Sequence, residues 1–181
     1  MSPHVLVTAA HCVSPDVVGA DPTFKLFLGD DTTDPAEVLP ANKVTVKEAH
    51  FDPLFDRHNP AGGHDIGVVI TATALTSPPL PMQHTALPAT AVSQPMRILG
   101  YGQTVSTDEN SVGKRTQVGT TLGALDAEHV IDMDVAHTFC HGDSGGPELM
   151  TLNGIETVVG IVSQRHRMTS DPACGGVNWG T

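Results

Sequence analysis

Short segments rich in valine, isoleucine, leucine and threonine lie between glycines and prolines along the whole chain, and no stretch keeps a helical period for three turns. That pattern predicts an all-β protein with many turns. The candidate strands are HVLVTAA from His4, TFKLFLG from Thr23, NKVTVKEAHF from Asn42, DIGVVIT from Asp65, MRILGYG from Met96, HVIDMDV from His129 and IETVVGIVSQ from Ile155. A sandwich or barrel follows. One stretch breaks the rhythm. From Thr76 to Pro95 prolines are dense enough to make a continuous ladder improbable, so an extended surface connection is expected there. It divides the chain into a β half over residues 1–78, a connection over 79–95 and a second β half over 96–181.

Composition narrows the picture. With 181 residues and 39% hydrophobic side chains the chain is long enough to bury a core. No run approaches the roughly 18 consecutive apolar residues of a membrane span. Nine Lys and Arg against 20 Asp and Glu leave a formal net charge of −11, a field that repels phosphate backbones and anionic lipid surfaces. Neither nucleic acid nor a membrane is expected as partner. Three cysteines, Cys12, Cys140 and Cys174, make an odd count without any CxxC pair, and the ten histidines are scattered, so no metal site is expected. His58 and His64 admit a metal reading, with a solvated loop as the plainer one. The acidic stretch Gly29–Glu37 admits calcium, with an acidic hairpin tip as the plainer alternative.

Candidate chemistry concentrates in CHGDSGGP, Cys140 to Pro147. A serine that attacks a carbonyl needs an exposed Oγ, a tight backbone around it and amides aimed at the developing oxyanion. Gly142 and Ser144 are the candidate amides, and Gly145 and Gly146 permit close approach of a substrate chain. Such a serine needs a base, and the base needs an orienting group. TAAHC supplies His11 behind the small residues Ala9 and Ala10, and HDIGVVI supplies Asp65 in front of an apolar strand. Taken singly these are weak: a Gly-rich turn, a core histidine and a turn aspartate.

Together, TAAHC, the DI before an apolar strand, LGYGQT from Leu99 and GDSGGP stand in the order of the chymotrypsin/trypsin-like serine proteases, which the chain resembles over essentially its whole length. The resemblance implies two packed antiparallel β-barrels with a cleft between them, and a secreted, cofactor-free, monomeric endopeptidase acting on protein or peptide substrates. It implies catalysis by His11, Asp65 and Ser144, with the Gly142 and Ser144 amides as oxyanion hole. Ser163 matches a serine beside the buried aspartate, on a strand whose neighbours pair with substrate. Thr138 matches the floor of the primary specificity pocket, where an aspartate would select Lys or Arg, so that preference is not expected. Phe139 and Arg165 fall at positions where small residues are usual, which leaves open a narrowed pocket or one taking an acidic side chain; Arg165 also reads as a surface charge. Cys140 and Cys174 match the pair that closes the pocket as a disulfide. Cys12 matches a cysteine bonded upstream, and Asp143 one paired with a freed N-terminal amine. The resemblance also implies that the first barrel lacks N-terminal strands and that a closing strand and helix are missing after Cys174, leaving an open barrel edge. A signal peptide upstream is expected for the same reason. A non-catalytic homologue that binds partners through the same surface is the alternative reading.

Overall fold

The computed structural model describes residues 2–59, 62–105, 107–134, 137–166 and 177–180, with the side chains of 165, 166 and 177–179 excepted. Ten strands carry the fold: β1 Val5–Thr8, β2 Lys25–Phe27, β3 Lys43–Phe51, β4 Gly67–Thr71, β5 Pro95–Gly100, β6 Thr116–Leu125, β7 Val130–Asp132, β8 Pro147–Leu152, β9 Ile155–His166 and β10 Val177–Gly180. The described helical structure is a four-residue α-turn, Pro15–Val18, and a few single 3-10 turns.

The strands form two antiparallel assemblies, one in each half. β1, β4, β3 and β2 make an open sheet in that order, and β10-β7-β6-β5-β8-β9 closes on itself as a six-stranded barrel. Every candidate strand therefore corresponds to an observed one. β6, β8 and β10 are not among the candidates. β6 carries Gly119 and Gly123, exposes Thr116, Gln117 and Thr121 and turns Thr120 inward to Asp132, so its apolar content is too sparse to stand out. Closure of the second barrel corrects the expectation of an open edge after Cys174. VNWG, Val177–Gly180, pairs with both β7 and β9 and satisfies the backbone groups that an edge would leave free.

The barrel interior is filled by Ala91, Met96, Ile98, Leu122, Val130, Phe139, Met150 and Val162. Ile98, Leu122 and Val162 are essentially inaccessible, each worth about 2 kcal/mol of burial. Phe139 belongs to this core rather than to an open pocket wall. A second cluster, Ala9 with Leu149, Val158 and Ile161, joins the end of β1 to β8 and β9 and so holds the two halves together. Residues between β4 and β5 run extended against this junction, with Pro81 and Gln83 bonded to Val158. His11 follows β1 and Gly145, next to Ser144, packs against Thr8 of β1, so the candidate catalytic segments lie where these halves meet.

Candidate active site

Strand register brings the first two residues together. β1 and β4 are antiparallel with Thr8 opposite Gly67, so the residues just past the end of β1 face those just before β4. The chain leaves β1 through completely buried Ala9 and Ala10 and turns through the 3-10 segment Ala10–Cys12. Gly67 is needed for that approach, because a Cβ there would stand 2.9 Å from Val13 Cγ2 and 3.1 Å from the Ala9 carbonyl oxygen. Asp65 thereby reaches His11 twice. Its Oδ1 accepts the His11 amide at 2.8 Å and its Oδ2 meets Nδ1 of the ring at 2.7 Å.

Asp65 is 1% exposed, and Ser163 Oγ donates to the same Oδ2 at 2.5 Å. Burial opposes its ionisation. The bonds from His11, Ser163 and the His11 amide outweigh that and hold the carboxyl below its ordinary value. The effect on the ring is reciprocal: the bond to Asp65 raises the His11 pKa above its ordinary 6.5. A carboxylate on Nδ1 fixes the tautomer that leaves Nε2 free to accept a proton.

Ser144 comes from the other half, on the loop between Cys140 and β8. Gly142 and Gly145 adopt φ of +97° and +80°, conformations open to glycine. The Asp143 carboxylate ties the loop down by accepting the Gly102 and Cys140 amides, each at 2.8 Å. Burial raises its pKa. Gly145 donates to the Val162 carbonyl at 2.8 Å and Val162 to the Gly146 carbonyl at 2.9 Å, which stitches the loop to β9 one residue before Ser163. On its other side Gly145 packs against β1: a Cβ there would overlap Thr8 Oγ1 and stand 3.2 Å from the Ala9 amide. Cys12 Sγ donates to the Ser144 carbonyl at 3.6 Å. The Ser144 loop is thus tied to the turn that carries His11 through Cys12 and Gly145, although no hydrogen bond among the described residues joins Ser144 Oγ to the imidazole. Asp143, Gly145 and Gly146 each donate to a backbone carbonyl, whereas the Gly142 and Ser144 amides have no such acceptor among the described residues.

The other candidates are distributed as follows. Thr138 is half-buried and hydrogen-bonds the buried Asp132 carboxyl. Arg165 lies on β9 opposite Asn178, with its side chain outside the described residues. Cys140 is buried, and its expected partner Cys174 lies outside the described residues. Cys12 carries a free thiol. His64 bonds Asp52 at 3.0 Å, and His58 donates its amide to Asp56. In the acidic stretch, Glu37 accepts the Asp30 and Asp31 amides, and Lys114 and Arg115 pair with Asp31 and Asp30 across the halves.

A cavity of about 400 Å³ opens beside the His11–Asp65 pair, lined by Val17, Phe55, Arg57, Ser163 and Gln164 as well. Val17, Phe55 and Arg57 belong to none of the sequence motifs. Only their position between Cys12 and Asp65 in the chain hints at proximity.

Comparison with known proteins identifies the family. The family model described as Trypsin matches residues 1–178. Chymotrypsin-like elastase family member 1 of Rattus norvegicus is 27% identical, and those of Macaca fascicularis and Bos taurus are 26% and 27% identical, each over 87% of this chain. The chain spans 63% of the length of these relatives. A histidine turn, a buried aspartate and a glycine-cradled serine, set at the junction of two antiparallel β halves and matched from end to end, place the chain in the trypsin family.

Proposed function

We propose that the chain is a serine endopeptidase that hydrolyses peptide bonds through an acyl-enzyme on Ser144. The observation that carries this reading is the bond from Asp65 to His11 Nδ1, buried and braced by Ser163, together with a serine whose own amide and that of Gly142 have no backbone acceptor among the described residues.

In this mechanism Ser144 Oγ attacks the scissile carbonyl while His11 Nε2 takes its proton. The negative charge that develops on the carbonyl oxygen is met by the Gly142 and Ser144 amides. Asp65 stabilises the imidazolium and keeps the ring oriented without itself becoming protonated. His11 then gives its proton to the leaving amine. Water, deprotonated by His11, attacks the acyl carbonyl, and His11 returns that proton to Ser144 Oγ as its bond to the acyl carbon breaks. Each proton moves between His11 and a reacting group, so these residues complete the cycle without a cofactor.

The raised His11 pKa sets the pH dependence. The base works when neutral, so turnover climbs as pH rises through a value above 6.5. Thr138 at the floor of the specificity pocket, without an aspartate there, argues for primary residues other than Lys and Arg, and the match to elastase-like relatives is consistent with that. The Cys140–Cys174 disulfide, secretion and action as a monomer on proteins or peptides complete the proposal. No helix among the described residues is long and apolar enough to cross a membrane. The test is hydrolysis of a mixed peptide library with cleavage sites read by mass spectrometry. Cleavage that disappears in Ser144→Ala supports an endopeptidase; cleavage that persists in that variant, or none in either protein, favours the non-catalytic binding reading.

A further inference from the structure

The cavity beside His11 and Asp65 has an unusual polar wall for a chain of net charge −11. Among the described residues Arg57 is the one arginine or lysine in it, and apart from His11 the other lining groups are Val17, Phe55, Asp65, Ser163 and Gln164. Asp65 does not neutralise the guanidinium, since the carboxylate is 1% exposed and occupied by His11 and Ser163.

Arg57 differs from the other arginines whose side chains are described. Arg97 pairs with Glu156 at 2.6 Å and Arg115 with Asp30 at 2.5 Å. Arg57 makes no ion pair among the described residues; its Nη1 donates to the main-chain oxygen of Asp16, which holds the head group against the Pro15–Val18 turn. Gln164 lines the cavity, and its Nε2 is buried with no hydrogen-bond partner among the described residues. An orphaned buried donor is destabilising until it finds an acceptor. Two donors, one charged and anchored and one unsatisfied, flanked by Val17 and Phe55, suit a ligand with a short apolar stem and a carboxylate head.

We infer that this cavity is a substrate subsite that takes an aspartate or glutamate side chain, with Arg57 recognising its carboxylate and Gln164 donating a second hydrogen bond. The inference rests on the endopeptidase reading above. Because the cavity is bounded by His11 on one side and by Ser163 and Gln164 of β9 on the other, its occupant belongs to the residue immediately preceding the acylated one.

Matched peptides carrying Glu, Gln or Lys at that position test it in two arms. In the turnover arm, kcat/KM for Glu is expected to exceed that for Gln by about fivefold, the factor that an ion pair of about 1 kcal/mol supplies, with Lys lowest. The Glu-to-Gln ratio is expected to fall to about one in Arg57→Ala, to invert in Arg57→Glu and to shrink as salt is raised. In the binding arm, fluorescently labelled versions of the same peptides are titrated into Ser144→Ala, and the same order of affinities is expected without any chemistry. Equal turnover of the three peptides, or a ratio that Arg57→Ala leaves unchanged, overturns the subsite while leaving the enzyme intact. If no peptide is cleaved, the endopeptidase reading fails, and the binding arm still decides whether the cavity selects a carboxylate.

Discussion

Glu148 is the most costly side chain in the barrel, and replacing it should stabilise the protein. It sits on β8 with its carboxyl fully buried, and neither oxygen has a hydrogen-bond partner among the described residues. The carboxyl occupies the room left by two glycines of the neighbouring strands: a Cβ on Gly160 or Gly180 would collide with Oε2. Burial, and secondarily the nearby carboxyl of Asp132, pushes its pKa from 4.5 up to about 8. A carboxylic acid whose folded pKa is raised is fully compatible with folding below pH 4.5. As pH climbs from there towards 8, the unfolded chain releases a proton that the folded chain must keep, so stability falls. At 1.36 kcal/mol for each pH unit climbed between those two values, the loss is about 3 kcal/mol at pH 7 and about 5 kcal/mol once pH exceeds 8. Against a typical total of roughly 5–15 kcal/mol this is large. Leucine is close in volume and needs no partner. Glu148→Leu should therefore be more stable than the parent by about 3 kcal/mol or more at pH 7, with the gap widening towards pH 8 and narrowing towards pH 5. Urea unfolding from pH 5 to pH 9, followed by tryptophan fluorescence, measures this directly. Identical pH slopes for the two proteins, or a less stable leucine variant at pH 8, would refute the reasoning.

Asp65→Asn should lower kcat/KM by roughly four orders of magnitude, the size of that change in a serine–histidine–aspartate triad, and move the acid limb of the pH profile down towards or below 6.5; peptide hydrolysis from pH 5 to pH 10 reads both. The same shifts mean that the His11–Asp65 pair stabilises the fold fully between pH 3.8 and pH 6.5 and loses that contribution as pH rises through the folded imidazole value or falls through the lowered carboxyl value, which urea unfolding across that range reads. Ser163→Ala leaves buried Asp65 without its 2.5 Å donor and should cost about 1–3 kcal/mol in urea unfolding, together with a loss in kcat smaller than that of Asp65→Asn. Gly145→Ala places a methyl group on a residue at φ +80° and into Thr8 Oγ1, so it should push the serine loop off β1 and abolish most turnover while circular dichroism keeps its β signature.

Much of the site is legible in the chain because its chemistry demands fixed neighbours. Small residues before His11 and glycines around Ser144 are backbone requirements, and the structure shows why: Ala9 and Ala10 have no accessible surface, and Gly145 has no room for a side chain. Strands such as β4 and β9 are legible because their β-branched stretches, VVIT in β4 and TVVGIV in β9, have few other uses. β6 is not, since its threonines and glycines pair by register with β5 and β7 rather than by a hydrophobic signal of their own. β10 is four residues after a glycine pair, too short to register as a strand until β7 and β9 stand on either side of it. Phe139 reads as a pocket residue from its neighbours in sequence, and the barrel core claims it instead. Glu148 and Arg57 mark the limit of such reading. Whether a charged residue on a strand or loop faces water, a core or a cavity depends on contacts from distant parts of the chain, here Gly180 in one case and His11 in the other.

In the proposed mechanism Ser144 is a nucleophile activated by His11. Treating the chain with an active-site-directed fluorophosphonate and locating the adduct by tandem mass spectrometry tests it most directly. Stoichiometric labelling of the Cys140–Pro147 peptide on Ser144 Oγ, suppressed in His11→Ala, is the predicted result. A protein that stays unmodified, or that labels equally well without His11, would contradict the account.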